Sequence, residues 1–381
     1  MRYFWPFAAN VLFFACDAIV MPFFILYYEQ LGFSGPQIGL LIGLPPLVTL
    51  VAAPLWTNLA DNTRRHRAVV NLLLLGAALC LALLPRLASF WAVLLDIVLL
   101  NACFLPVTAF IDSATLFMLA DRREYYGRVR VGGSIGFGAS GLLAGLIAAA
   151  YGLNVALWAG AGLLLLTLVA AQGLEFGAPA PAAHERPARG SVATLLADRS
   201  WPPFLALAFA GGLFTVISTN YLLAYFTQIG APQATLGVAL AIGVMTEIPL
   251  LFFGDQLLRR FPAYALFVAA LLLCSLRLLL FAVVRSPSAA LVVQLLNGVN
   301  YPLMWLAGVT YAHEHAPPGL AATAQGVLAA MVGGVGAAAA GFAGGPLLAW
   351  LGGPGTYAVF GLVILAIVAG VLVWQRLARG T

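Results

Sequence analysis

The sequence predicts an all-α membrane protein in which twelve transmembrane helices form two pseudo-symmetric bundles of six. Hydrophobic residues make up 63% of the 381-residue chain and charged residues only 8%, whereas a soluble domain is about a quarter charged. Twelve apolar runs are close to or above the length that a helix needs to cross a bilayer, and one long polar segment divides them six and six. A membrane β-barrel is excluded because its alternating strands would not raise the mean hydropathy to +1.01.

The apolar runs follow one another with short connections, except at residues 175–202. That segment is rich in proline, alanine and arginine, a composition typical of a linker. The sequence therefore predicts an N-terminal six-helix bundle over 1–174, a cytoplasmic linker over 175–202 and a C-terminal six-helix bundle over 203–381. The runs lie at 4–28, 36–57, 68–89, 91–119, 129–150, 155–173, 203–227, 233–254, 263–284, 289–312, 320–347 and 354–375.

The distribution of arginine predicts the orientation in the membrane. If the N-terminus is cytoplasmic, only Arg86 and Arg285 fall in outer loops, and the positive-inside rule is satisfied. We therefore expect a multi-pass protein of a bacterial inner membrane with both termini in the cytoplasm. Topology then accounts for the net charge of +5, and no nucleic-acid partner is expected. The arginines on the cytoplasmic side are Arg64, Arg65, Arg67, Arg122, Arg123, Arg186, Arg189, Arg199, Arg259, Arg260, Arg376 and Arg379.

The two halves of the chain repeat one another. The second run is followed by "LADNTRRHR" (59–67) and the eighth by "FGDQLLRRF" (253–261), each with an aspartate and two arginines at a helix end. Runs five and eleven are both rich in glycine, which lets helix backbones approach closely. This predicts a parallel repeat of two six-helix units. We expect the turns to act in gating through Asp61, Arg64, Arg65 and Asp255.

Six charged residues of the apolar runs are candidate functional groups. A charge at membrane depth costs several kcal/mol unless it is paired or hydrated. Asp96 is expected close to the outer interface. Asp17 precedes the break at Pro22 and is either a cavity ligand or a hydrogen-bonding contact between helices. The six are Asp17, Asp96, Asp112, Arg130, Glu247 and Arg277.

The stretch "YYGRVRVGGSIGFG" (125–138) places two arginines against a glycine-rich apolar segment. Arg128 is interpreted as a boundary charge at the cytoplasmic surface. Arg130 opens the fifth run, and Asp112 lies about two turns inside the fourth, so the two can form a bidentate ion pair if these helices are neighbours. The alternative is a purely structural salt bridge, which only lowers the free-energy cost of placing these two charges within the membrane.

Several segments resemble the major facilitator superfamily, and within it the branch of the lactose, nucleoside and 3-phenylpropionate permeases. "LADNTRRHR" partly resembles the superfamily signature between helices two and three, although Asn58 and Thr63 lie where glycines are usual. "FIDSATLFMLADRREYYGRVRVGGSIGFG" (110–138) resembles helices four and five, and "IGVMTEIPLLFFGDQLLRRF" (242–261) resembles helix eight. "LLLCSLRLLLF" (271–281) and "VQLLNGVNYPLMWLAGVTY" (293–311) resemble helices nine and ten.

The resemblance implies an alternating-access transporter with a solute site between its halves. Glu247 matches an acidic residue that lies near the site on the eighth helix of that branch, and Arg277 matches the ninth-helix arginine that takes part in proton coupling. Asn297 and Asn300 stand where lactose permease has a titratable His and Glu, so a carboxylate must carry the proton, and Glu247 is the first choice. Phe137 stands where lactose permease has the tryptophan that stacks on the sugar ring. The solute-binding candidates are Asp17, Asp112, Arg130, Phe137, Tyr221, Asn297 and Trp305.

We expect a secondary active transporter, a proton symporter for an aromatic or organic acid, a sugar or a nucleoside. The alternatives are an uncoupled facilitator, an exporter and, from another class, a lipid-handling membrane protein or a solute sensor. No enzyme activity, metal or cofactor is expected, with the proton gradient as driving force. "HEH" (313–315) lacks the histidine spacing of a zinc helix, and "GGSIG" (132–136) opens a membrane helix where a nucleophile elbow needs a strand-to-helix turn. The expected partners are the solute and the bilayer, with the protein a monomer.

Overall fold

The computed structural model describes residues 3–119, 125–177, 191–317 and 319–379, without the side chains of residues 191–193, 251, 252 and 255. Within these residues, eleven helices are long and apolar enough to cross a membrane. The last of them covers 58 residues and divides at Gly352, whose φ of 69° is not helical. It therefore makes two crossings, and the predicted fold of twelve transmembrane helices is confirmed.

We number the membrane helices α1 to α12 in chain order. A short helix, Ser191–Ala197, precedes α7. The twelve are α1 (Phe4–Gln30), α2 (Gly35–Thr63), α3 (His66–Arg86), α4 (Phe90–Leu119), α5 (Tyr126–Tyr151), α6 (Leu153–Ala171), α7 (Trp201–Thr219, continued by Leu222–Gln228), α8 (Gln233–Arg260), α9 (Ala263–Val283), α10 (Pro287–Glu314), α11 (321–351) and α12 (353–379).

Every third helix is interrupted part-way along its length. In α1 the irregular turn is Met21–Phe23, and in α4 the helix breaks at Leu105 and Pro106. Proline explains these two breaks because it lacks the N–H that continues the helical hydrogen-bond ladder. In α7 the break follows Thr219, and in α10 it precedes Asn297. The same feature in α1, α4, α7 and α10 reflects the internal repeat, and it leaves polar groups beside the breaks.

The two halves meet along two helix pairs, α2 with α11 and α5 with α8. A Cβ atom built on Gly39 would lie 2.7 Å from the carbonyl oxygen of Phe342, and one on Gly145 would lie 2.9 Å from the backbone nitrogen of Gly237. Glycine is needed at both positions because the backbones touch. Nearer the middle of the seam, a Cβ on Gly138 would be an ordinary 3.6 Å from Met245.

These tight contacts lie at the end of the bundle away from the arginine-rich turns of α2 and α8. The arginine-rich end is the one that carries Arg64, Arg65, Arg259 and Arg260. Backbone contact thus holds the halves together at one end, and along α5 and α8 the contact loosens from Gly145 to Gly138, toward the arginine-rich end. Four arginines of the predicted cytoplasmic side, Arg122, Arg123, Arg186 and Arg189, lie outside the described residues, as do residues 178–190 of the predicted linker.

Candidate functional site

A cavity of about 290 Å³ lies between the two halves, lined by α1 and α5 on one side and by α7, α8 and α10 on the other. Its walls carry three charged side chains, Asp17, Arg130 and Glu247, together with amide, hydroxyl and aromatic groups. Convergent polar groups in a mostly apolar cavity at the interface of two bundles are typical of a small-molecule site.

The wall of the first half is built around Arg130. Its guanidinium group lies 4.1 Å from the centre of the Phe14 ring, a cation–π contact. A Cβ atom on Gly133 would lie 2.5 Å from Arg130 Nη1, so the glycine makes room for the side chain to run along its own helix. Phe137, two turns further along α5, and Asp17 on α1 line the same cavity.

Asp112 and Arg130 are neighbours, but only Arg130 lines the cavity. Their closest atoms, Asp112 Oδ1 and Arg130 Nε, are 3.9 Å apart, and both side chains are more than a third exposed. An exposed pair at this distance contributes about 0–1 kcal/mol. The Tyr126 side chain lies beside both residues. Asp112 thus occupies the rim of the cavity on the arginine-rich side.

The wall of the second half is a hydrogen-bond chain that joins three helices. Asn297 Nδ2 on α10 donates to Glu247 Oε1 on α8, at 2.7 Å. Arg277 Nη1 on α9 donates to Asn297 Oδ1, at 2.6 Å, and Arg277 Nη2 donates to Gln294 Oε1, at 2.7 Å. The amide of Asn297 therefore links a buried guanidinium to a carboxylate that faces the cavity.

Arg277 lies behind the cavity wall and is fully buried. A buried charge is tolerated only when it is hydrogen-bonded. The side-chain oxygens of Asn297 and Gln294 accept hydrogen bonds from the Arg277 guanidinium. The ring centres of Phe214 and Phe281 lie 5.6 and 5.4 Å from the guanidinium carbon. Within the part of the chain that the structure describes, Arg277 has no carboxylate within ion-pair distance. A solute in the cavity therefore meets Asn297 and Gln294 before it meets Arg277.

Two predicted solute ligands lie elsewhere. Tyr221 is fully buried, and its hydroxyl donates to the carbonyl oxygen of Gly341 at 3.0 Å, which packs α7 on α11. Trp305 does not line this cavity: it is 41% exposed on α10, one turn beyond the cavity-lining Tyr301. Asn300 is buried and donates to the carbonyl oxygen of Leu273. Asp96, expected near the outer interface, is only 7% exposed and lies within the first half.

Sequence reasoning missed several residues that line the cavity. Phe14 lies three residues before Asp17, and Gln294 lies three residues before Asn297. Residues three apart share a helix face, so each could have been found from its neighbour once that neighbour was placed in the cavity. Thr215 and Ser218 on α7 carried no comparable signal.

The turn between α2 and α3 is organised by a histidine. His66 Nε2 lies 2.8 Å from Asp61 Oδ1, and the His66 ring stacks on Phe176 at 5.9 Å between centroids. Arg64 ends α2 with a left-handed φ of 54°, and Arg64 and Arg65 are both exposed. The side chain of Asp255, the equivalent residue of the second half, lies outside the described part of the chain.

A comparison with protein families supplies the decisive observation. The model of the MFS_1 like family matches residues 8–360. The chain belongs to this family. It is 28% identical over 317 residues to the maltose permease of Geobacillus stearothermophilus, covering 82% of this chain and 79% of the permease. It is 22% identical over 356 residues to the uncharacterized transporter YwbF of Bacillus subtilis, covering 91% of this chain and 87% of YwbF.

Solved structures agree with the family on the fold. The crystal structure of the nucleoside transporter NupG has a TM-score of 0.81 and 17% identity, and covers 98% of both chains. A NupG variant has a TM-score of 0.89 and 16% identity over 98% of this chain and 99% of its own. A POT family transporter in complex with 5-aminolevulinic acid reaches a TM-score of 0.70 at 14% identity, over 98% of this chain and 95% of its own. This MFS protein is therefore a multi-pass membrane transporter, and it is not an enzyme.

Proposed function

We propose that this MFS transporter is a proton symporter for a small neutral solute that carries a ring and several hydroxyl groups, a sugar or a nucleoside. The observation that carries the proposal is the composition of the cavity wall. Asp17 and Arg130 of the first half face Glu247 of the second half across a cavity of about 290 Å³.

The charges favour a neutral solute over an organic acid. Asp17 and Glu247 outnumber Arg130 in the cavity, and Arg277 is engaged by amides behind the wall. An anion would meet the like charge of Asp17 and, whenever Glu247 carries no proton, a second like charge, which is costly in a site of low dielectric constant. Carboxylates and a guanidinium bind paired hydroxyls well, and the rings of Phe14, Phe137 and Tyr301 offer stacking faces. Maltose permease and NupG carry names that fit this solute class.

Glu247 is the proposed proton carrier. It faces the cavity, and its link to Arg277 runs through Asn297, a residue that does not titrate. Protonation of Glu247 removes the negative charge at one end of the hydrogen-bond chain Glu247–Asn297–Arg277. It thereby changes the electrostatic interactions that hold α8, α9 and α10 together. The driving force is then the proton gradient, with no cofactor. In this proposal the amide of Asn297, bonded to Glu247 and Arg277, stands in place of the titratable His and Glu on the tenth helix of lactose permease.

Alternating access follows from the arrangement of the halves. We place the moving units at 1–174 and 203–381, joined by the linker 175–202, in an inner membrane with both termini in the cytoplasm. Closure at the glycine contacts of α2 with α11 and opening toward the arginine-rich end correspond to a state that faces the cytoplasm. One chain encloses the whole cavity, so a monomer suffices.

Counterflow in proteoliposomes tests the function. Purified protein would be loaded with unlabelled maltose, a nucleoside or an aromatic acid, and entry of the labelled solute followed with and without an inward proton gradient. We expect exchange of a sugar or nucleoside, and accumulation only with the gradient. Exchange of aromatic acids alone would refute the solute class, and accumulation indifferent to the gradient would refute the coupling and favour a facilitator.

A further inference from the structure

Arg128 and Arg130 lie on opposite faces of α5. Each residue of an α-helix turns the side chain through about 100°, so two positions separate the side chains by about 200°. Arg130 faces the central cavity, and Arg128 is exposed on the other side of the helix. Arg128 therefore projects from the outer surface of the transporter, where the bilayer lies.

The apolar surface next to Arg128 is the lipid-facing stripe of α5. Ile135, Leu142 and Leu146 are 49%, 40% and 55% exposed. They follow Arg128 by seven, fourteen and eighteen residues, spacings that return to the same helix face within about 40°. A single exposed cation thus stands at the membrane-surface end of a column of exposed aliphatic side chains.

A groove adjoins this arginine, between the first turns of α1 and α5. It encloses about 310 Å³ and is lined by Tyr3, Phe4, Phe7, Tyr125, Arg128 and Val129. The Arg128 guanidinium carbon lies 4.8 Å from the centre of the Tyr125 ring, and that ring stacks on Tyr3 at 6.2 Å. Phe4 is 61% exposed in the groove. Tyrosines at this depth are typical of the headgroup region.

We propose that this groove binds an anionic phospholipid, with the headgroup phosphate on Arg128 and an acyl chain along Phe4 and the aliphatic stripe of α5. The described residues that line the groove include one cation and no carboxylate. A zwitterionic headgroup carries an ammonium group, which finds no acidic partner in the groove. A headgroup with a net negative charge and no ammonium group avoids this cost. The apolar groove and stripe select a lipid over a soluble anion, since only a lipid covers them.

Native mass spectrometry of the full-length protein tests the site. Phosphatidylglycerol and phosphatidylcholine with identical acyl chains would be titrated separately, and the first bound lipid quantified. We expect phosphatidylglycerol to bind more tightly to the unmodified protein. Arg128→Gln should weaken it about fivefold, which corresponds to about 1 kcal/mol for one arginine near the membrane surface. Arg128→Lys should keep most of the affinity, because the charge remains.

Arg260→Gln is the matched control, since Arg260 is exposed at the same end of the bundle but does not line the groove. It should leave the affinity for phosphatidylglycerol unchanged. Phe4→Ala should weaken both lipids, because it removes apolar contact but no charge. Equal losses in Arg128→Gln and Arg260→Gln would show a general surface charge effect and overturn the site. Displacement of phosphatidylglycerol by millimolar inorganic phosphate would show a plain anion site and also overturn it.

Discussion

Asn297 donates a 2.7 Å hydrogen bond to Glu247 and at the same time accepts a 2.6 Å hydrogen bond from the buried Arg277. Its amide can do both because it carries a donor and an acceptor on one side chain. The carboxylate that faces the cavity and the guanidinium behind the wall are thereby coupled without touching. This relationship places Asn297 at the centre of the proposed coupling mechanism.

Removing the amide should therefore disable transport. Asn297→Ala breaks two charge-assisted hydrogen bonds, each worth about 1.5–3 kcal/mol, so we expect initial uptake to fall at least tenfold. Asn300→Ala is the control, since Asn300 is buried on the same helix, outside the cavity wall, and donates only to the carbonyl oxygen of Leu273. Solute uptake by proteoliposomes would measure both. Equal losses in the two variants would mean that Asn297 serves only packing.

Glu247→Gln should separate coupling from solute movement. Glutamine keeps an oxygen that accepts from Asn297 but cannot release a proton at any relevant pH. We expect uphill accumulation driven by a pH gradient to disappear while counterflow without a gradient continues. Asp17→Asn, on the opposite wall, should instead weaken solute affinity and leave gradient-driven accumulation measurable. Unchanged accumulation in Glu247→Gln would show that another group carries the proton.

The two arginines of α5 should behave differently. Arg130→Gln removes the cavity guanidinium that lies over Phe14, and we expect solute binding to be lost. Arg128→Gln leaves the cavity intact, because Arg128 projects from the opposite face, and solute affinity should stay within about twofold. Equilibrium binding of the counterflow solute, measured by calorimetry or scintillation proximity, would distinguish them. Similar losses of binding in both variants would contradict the assignment of Arg130 to the cavity.

The glycine contacts between α2 and α11 should control closure of the end away from the arginines. A Cβ on Gly39 would lie 2.7 Å from the backbone oxygen of Phe342, so Gly39→Leu should force this seam apart. Gly162→Leu is the control, because a Cβ there meets nothing within 4 Å. Both would be combined with Thr219→Cys, an exposed position in the cavity wall.

The readout is labelling of that cysteine by a membrane-impermeant maleimide added on the side away from the arginine-rich end. We expect labelling to rise several-fold in Gly39→Leu and to stay at the background level in Gly162→Leu. A melting temperature near that of the parent protein would show that the variant is folded. Labelling that stays low in a folded Gly39→Leu protein would mean that the seam does not close the cavity.

Tyr221 should matter for stability and not for binding. Tyr221→Phe loses the hydrogen bond to the carbonyl oxygen of Gly341, and we expect the free energy of unfolding to fall by about 1 kcal/mol. Solute affinity should not change, since the side chain is fully buried and lies outside the cavity wall. Thermal unfolding in detergent and solute binding would measure the two effects. Weaker solute binding at unchanged stability would instead show that Tyr221 is a solute ligand.

The number, order and approximate bounds of the membrane helices were determined by the sequence itself. Apolar runs long enough to span a bilayer have no other stable conformation there, since every backbone group must be paired internally. The spacing of Asp112 and Arg130 also predicted their proximity, because a short connection joins α4 to α5. The sequence did not predict that Asp112 lies at the rim of the cavity, outside the wall that Arg130 lines.

Only the tertiary structure decided which face of each helix looks into the cavity. In a soluble protein the apolar face of a helix indicates the core, but in a membrane protein the lipid-facing surface is also apolar, so that signal is missing. Tyr221 and Gln294 therefore could not be sorted into packing and cavity positions from spacing alone. The same holds for Asn297, whose place between Glu247 and Arg277 depends on the rotation of α8, α9 and α10 about their axes. Packing between helices sets that rotation, and a one-dimensional pattern does not record it.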